Sequence, residues 1–351
     1  MDNTKEKQQL ERWYKVYAIY KDTPFIGFIE EYLEELLRQV CHVYVKINNF
    51  KHDENYLDYY TLEETLDLSK KFLSTIDEDY PNYLNQGLIN GFIDIYDKDD
   101  YYEYDSEGNF IDVEKEGPYY GTRDISEMHR VKTISLPLKH NIDDVYSLIH
   151  ELFHSISASA SYHESNDFKV LTESVSITYE FILYDYLKEN GICSKDRIKP
   201  IEFRINDLRK KTETLAIGMD ILKKVKENID DLKNIKVCYI PAAKDETKEE
   251  KLERERKIKN ERETIGKDYF ELRKVLEYYL GTLIAVINYK RYKEGKLDIE
   301  TIEEYTYSIK NNEELESLNI LFDKFPSLKE VQDSLDFILN EINNSKSIVK
   351  K

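Results

Sequence analysis

Cysteine is scarce in this chain: three thiols, Cys41, Cys193 and Cys238, stand far apart in 351 residues, with no CxxC. That excludes a disulfide framework and fits a reducing compartment. Glycine (11) and proline (7) are also few, which argues against a turn-rich β architecture and favours long helices. No apolar run approaches the roughly 18 residues that a membrane span needs. Positive charge is outnumbered, with 51 Lys and Arg against 70 Asp and Glu, a net −19. An acid of that strength repels phosphate backbones, so nucleic acid is excluded as a partner. The first residues, MDNTKEKQQLERW, are charged where a secretion leader would be apolar, so the expected location is cytoplasmic.

Helical patterning dominates what is present. Apolar residues recur at helical spacing from Thr4 to about Asn49, from Thr61 to Asp79 and from Tyr83 to about Tyr96. Thr61-Leu-Glu-Glu64 has the form of a capping box. Residues 97–120 are acidic, rich in Tyr and broken by Gly and Pro, which predicts a loop or short hairpin, with a strand following at Val131–Pro137. Two helices are expected between Asp143 and Leu187, interrupted near Ser161–Asp167. Residues 244–263 carry eight basic and eight acidic side chains in twenty. They read as a solvated helix with pairs such as Glu250–Arg254, Glu253–Lys257 and Glu255–Lys259.

His150-Glu151-Leu152-Phe153-His154 is an HExxH. Histidines at i and i+4 of a helix project from one face, so two ring nitrogens can reach one zinc ion. The glutamate between them is placed to move a proton to or from water. Val145, Leu148, Ile149, Leu152, Phe153 and Ile156 form an apolar stripe, and the two histidines fall roughly 120–160° from its centre at about 100° per residue. A face holding Asp143, Ser157 and Ser161 predicts that the histidines look onto a polar cleft. A catalytic zinc needs a third protein ligand. Glu173 follows His154 by 18 intervening residues, room for a turn and a return helix, and shares a helical face with Ser176, Glu180 and Tyr184. Glu180, two turns on, is placed to accept a ring N–H from a ligand histidine. His163, on the turn between the helices, is a candidate to touch substrate.

These residues resemble the oligoendopeptidase F and thimet-oligopeptidase lineage of zinc peptidases. Thr133-Ile-Ser-Leu-Pro137 and Asn141-Ile-Asp-Asp-Val145 are similar to that lineage's approach to its HExxH helix, and Glu173, Ser176 and Glu180 to its E-x-x-S-x-x-x-E helix. Tyr279-Leu-Gly281 through Tyr289-Lys-Arg-Tyr-Lys-Glu-Gly295 resembles its C-terminal helix, and the likeness runs over about residues 55–340. The resemblance implies zinc on His150, His154 and Glu173, Glu151 as general base, and Glu180 orienting a ligand. It also implies an edge strand at 131–137, with Ser135 on it, pairing with the backbone of an extended peptide. The lineage places a His and a Tyr before its C-terminal helix to bind the oxyanion; Lys267-Asp-Tyr269-Phe270 offers Tyr269, with Tyr278 and Tyr279 as alternatives, and no His. Phe153 stands where the lineage usually has Gly, and Ser157 where it has a further His.

The expectation is therefore a mainly α, zincin-type catalytic domain over 55–351, with a small β edge beside the site. Residues 1–54 form a helical segment in place of the lineage's longer N-terminal half. That half roofs the peptide channel, so a partner chain or second copy is expected to complete it, or the channel stays open. The implied activity is hydrolysis of internal bonds in short peptides. The alternatives are a catalytically weakened peptide-binding or scaffold module, or another HExxH…Glu peptidase such as an aminopeptidase.

Overall fold

In the computed structural model, the described residues are 3–23, 26, 27, 29, 33, 34, 36, 37, 55–97, 103–104, 110–111, 119–126, 129–157, 170–193, 195–242, 246–310 and 327–349. In chain order the elements are α1 (Asn3–Tyr20), α2 (Leu62–Leu73), α3 (Tyr80–Ile89), β1 (Ile93–Asp97), β2 (Glu103–Tyr104), β3 (Phe110–Ile111), β4 (Tyr119–Ser126), β5 (His129–Leu138), α4 (Ile142–Ser157) and α5 (Val170–Glu189). Then follow α6 (Lys199–Glu227), α7 (Ile229–Leu232), α8 (Lys248–Lys293), α9 (Ile299–Lys310) and α10 (Leu328–Val349). The fold is mainly α, as expected, and no helix among the described residues is long and apolar enough to cross a membrane.

The chain divides into two compact units, Met1–Tyr44 with Leu208–Tyr279, and Val45–Asp207 with Leu280–Lys351. This differs from the expected boundary at residue 54. The N-terminal helix folds with a later stretch of chain, a long-range pairing that local periodicity does not encode. In the first unit Tyr20 of α1 stacks on Tyr269 of α8, ring centroids 3.8 Å apart. Arg12 pairs with Asp268, and Lys15 with Glu261. Val16, Leu215, Val225, Ile265 and Leu276 fill the core. The charged start of α8 is largely exposed. Of the three expected pairs only Glu253–Lys257 forms, at 3.6 Å. Arg254 pairs instead with Glu246 at 2.7 Å, and Glu250 accepts the Thr247 N–H at 2.8 Å, capping the helix.

The second unit holds the sheets. β5 is the central strand of a three-stranded sheet ordered β1-β5-β4. β1 runs parallel to it (Ile93↔Ile134 to Asp97↔Leu138), and β4 antiparallel (Tyr119↔Ser135 to Ser126↔His129), with a bulge between Asp124 and Ser126. The strand at 131–137 is therefore not an edge. Both its backbone rims are already paired, and among the described residues β4 and β1 are the outer strands. β2 and β3 make a separate antiparallel pair, in keeping with the expected hairpin. The helix expected over 83–96 ends at Ile89. Gly91 takes φ +69°, and the Phe92 N–H returns to the Gly87 carbonyl at 2.8 Å. That left-handed residue closes the helix and lets Ile93–Asp97 extend as a strand. The Thr61 capping box forms with Glu64 as expected.

α4 and α5 form the centre of this unit, with α2, α9 and the sheet packed around α4. Each fully buried Leu, Ile or Phe between them contributes about 1.5–3 kcal/mol. A polar clamp ties residues 55–58 to the start of α6. Buried Asp196 accepts the N–H groups of Leu57 and Asp58 at 2.6 and 3.0 Å and pairs with Lys199 at 2.9 Å. Burial alone would raise its carboxyl, but Lys199 and the two N–H groups hold it below the ordinary value. Cys193 donates to Asp58 at 3.4 Å, and burial pushes its thiol up to about 12, so this cluster holds a neutral thiol and an occupied carboxylate. A depressed carboxyl stabilises above its unfolded pKa of about 3.9 and loses that contribution as pH falls through the folded value. Asp196→Ala is therefore expected to cost about 3 kcal/mol near neutral pH, with the gap to wild type narrowing in acid as the depressed carboxyl takes up its proton. Urea melts at neutral and acid pH check this. An equal gap at both would show that the ion pair is not its source.

Candidate metal centre

α4 begins where polar groups dictate. The Asn141 side chain accepts the Asp143 N–H at 2.8 Å, and buried Asp144 accepts the Lys139 N–H at 2.9 Å. From there Val145, Leu148, Ile149, Leu152 and Phe153 enter the core with no exposed surface. The opposite face, expected to line a polar cleft, is mostly covered among the described residues, with Asp143 and His154 keeping part of their surface. His150 is 6% exposed, Glu151 7% and Ser157 0%, with the Ser157 hydroxyl donating to the Phe153 carbonyl at 2.7 Å. α5 is buried nearly all round as well, and two of its polar residues find partners on other helices. Ser174 meets the Tyr305 hydroxyl at 2.7 Å, and Asp185 accepts from Tyr289 at 3.0 Å.

The sequence-predicted ligands come together. His150 Nε2 and His154 Nε2 lie 2.9 Å apart, His154 Nε2 is 3.3 Å from Glu173 Oε1, and His150 Nε2 is 3.6 Å from Glu173 Oε2. All three residues converge as one potential ligand group. Two observations fit these donors to zinc. A tetrahedral ion with bonds of about 2.0–2.1 Å sets its ligand atoms roughly 3.3 Å apart, and the three separations bracket that value. Glu173 Oε2 is also buried with no hydrogen-bond partner, a costly condition for a carboxylate oxygen unless a cation meets it. Two histidines and a glutamate are the donor set of a catalytic rather than a structural zinc, which leaves one position for water.

The electrostatics of the group support a cation. Burial would raise the Glu173 carboxyl, yet His154, His150 and Arg204 hold it at about 2. Burial favours neutral His154, but the facing charges of Glu173 and Glu151 outweigh it and raise the ring. Glu180, 1% exposed, meets His150 Nδ1 at 2.6 Å, the contact expected of it. It too lies below the ordinary range, since Arg204 and His150 offset its burial.

Arg204 is the residue that sequence reasoning missed. Its Nε donates to Glu180 Oε2 at 2.8 Å, and its Nη2 reaches Glu180 Oε1 and lies 3.2 Å from His150 Nδ1. A signal was available: Arg204 stands one turn from the buried Ile201 and Leu208 and beside Ile205 on α6. A guanidinium flush with an apolar stripe implies a buried partner.

Of the other candidates, Tyr269 and Ser135 are among the described residues. Tyr269 belongs to the first unit, 5% exposed and stacked on Tyr20. Ser135 is buried on the central strand, with its hydroxyl 3.4 Å from that of Tyr96. His163 lies outside the described residues. Phe153 lies flat against Tyr179 at 3.5 Å and takes the edge of Tyr80 at 5.7 Å, so an aromatic stack occupies its position.

No protein-family profile matches the sequence, and no curated protein matches it. Two solved structures are similar. One is a protein of Bacillus anthracis str. Ames assigned as an oligoendopeptidase F, at TM-score 0.56 and 15% identity over 94% of this chain. The other is a protein of Chlamydophila abortus assigned as a peptidase, at TM-score 0.54, also with 15% identity over 94% of this chain. The chain spans 59% and 57% of the lengths of those two proteins. At this identity the likeness is one of fold: this chain shares the fold of a part of these two proteins.

Proposed function

We propose that this chain is a zinc-dependent peptidase that hydrolyses internal bonds of short, extended peptides. The observation that carries the reading is the buried convergence of His150, His154 and Glu173, with Glu151 beside them, in a fold shared with proteins assigned as peptidases. Zinc held by those three residues would supply Lewis-acid chemistry for a peptide carbonyl and make water a better nucleophile at neutral pH. Glu151 would take the proton of the attacking water on its carboxylate and return it to the departing amine nitrogen. His150 would be held in orientation by Glu180. An extended peptide would add its backbone to β4, which has a single partner strand among the described residues. The net charge of −19 favours basic peptides.

The test is digestion of a mixed peptide library, read by mass spectrometry, before and after metal removal. Internal cuts are expected from the zinc-loaded chain. Chelation should slow them at least about 100-fold, since a Lewis acid supplies several kcal/mol of barrier lowering, and added zinc should restore them. Cuts confined to chain ends would favour an exopeptidase. No cuts from a protein holding one zinc would overturn the reading and leave a peptide-binding module.

A further inference from the structure

We propose that Arg204 is a positioning residue for the metal centre, acting through Glu180 on His150. The proposal rests on the zinc reading above and adds a residue from α6 that meets Glu180 and the Nδ1 side of His150.

The chain of contacts fixes where protons sit. His150 Nδ1 lies 2.6 Å from Glu180 Oε1 and 3.2 Å from Arg204 Nη2. Arg offers donors only, and an ionised carboxylate offers acceptors only. A bare Nδ1 lone pair 2.6 Å from a carboxylate oxygen would set two acceptors against each other. Nδ1 therefore carries a proton and donates a hydrogen bond to Glu180, and the Nε2 lone pair is directed at His154 and Glu173. That is the tautomer a metal ligand needs. Glu180 serves only while it stays a carboxylate in one orientation, although it is 1% exposed. Arg204 meets both of its oxygens through two nitrogens, a bidentate grip that holds the plane of the carboxylate as well as its charge. Arg204 is itself partly exposed, with 20% of its side chain accessible. It carries the guanidinium charge from the protein's wet side to a carboxylate that has almost no water.

The test reads metal affinity and needs no turnover. Wild type, Arg204→Met, Arg204→Lys, Glu180→Gln and the Arg204→Met/Glu180→Gln double variant are stripped of metal. Each is titrated with zinc against a chromophoric chelator, and the visible spectrum is recorded after cobalt substitution. Arg204→Met is expected to weaken zinc binding about 10–100-fold and to alter the cobalt bands. Arg204→Lys keeps the charge but not the fork, so a loss of roughly threefold to tenfold is expected. On the Glu180→Gln background, Arg204→Met should change zinc affinity less than about twofold, because the route through Glu180 is already cut.

Zinc affinity of Arg204→Met within about twofold of wild type would overturn the proposal. So would a full, additive loss on the Glu180→Gln background. If Arg204→Met does not fold, Arg204→Lys decides: a folded variant with wild-type zinc affinity and cobalt bands would show a merely structural role. The affinities judge Arg204 whether or not the chain cuts peptides, whereas the library digestion judges the peptidase reading alone.

Discussion

Glu151→Gln is expected to lower peptide hydrolysis about 10²–10⁴-fold while leaving zinc content and folding intact. The magnitude is that of a positioned general base, and the geometry explains why the effect should fall on turnover alone. Glu151 follows His150 on α4, and it is not among the three residues whose donor atoms converge. Its carboxylate acts electrostatically on the His154 ring and helps to raise it. Glutamine has the same shape and keeps the side chain in its buried place, at 7% exposure, but its amide cannot accept a proton at neutral pH. Removing a buried charge costs the fold little and can relieve it. The measurement is kcat and KM for one identified peptide, with zinc per chain and a thermal melt on the same sample. Retention of more than about a tenth of wild-type kcat would remove Glu151 as the base. Loss of zinc in parallel would make it part of the binding site instead.

The centre of this site was legible because its logic is local. Two histidines four apart, a glutamate between them, and two glutamates seven apart on the next helix are patterns of a 3.6-residue period, and α4 and α5 bring them together as that period implies. What was not legible depends on long-range pairing. Arg204 lies 24 residues from Glu180 and 54 from His150, and no periodicity links three helices. The central position of β5 follows from parallel pairing with β1, about 40 residues earlier, and a strand's neighbours are not written in its own alternation. β1 itself was hidden because a five-residue strand directly after a helix is too short to break the helical pattern. The polar face of α4 points to a cleft when read from sequence, because polar residues usually mean water. Here the histidines meet the carboxylates of Glu180 and Glu173, so burial is compensated inside the protein.

Phe153→Ala is expected to be the most destabilising of these substitutions, at about 3–5 kcal/mol, the usual cost of deleting a fully buried aromatic ring. Phe153 has no exposed surface, lies flat on Tyr179 of α5, and receives the edge of Tyr80 of α3. Its removal opens a void bounded by two large rings that are themselves pinned by neighbouring helices, so collapse to fill it is hindered and the penalty stays near the upper end. A domain of ordinary stability holds about 5–15 kcal/mol, so the loss should lower the melting temperature on the order of 10 °C. The consequence reaches the metal centre through sequence neighbours. Phe153 precedes His154 and Tyr179 precedes Glu180, so the stacked pair sets the spacing of the two helices where their ligands face each other. Phe153→Ala should therefore weaken zinc binding as well, whereas Ser157→Ala, which removes a hydroxyl bonded only to its own helix, should change stability by less than about 1 kcal/mol. Phe153→Leu, which restores most of the volume without the stack, separates the two contributions. Stability recovered but zinc affinity still reduced would assign the aromatic stack to ligand spacing. Recovery of both would mean that volume alone keeps α4 and α5 in register.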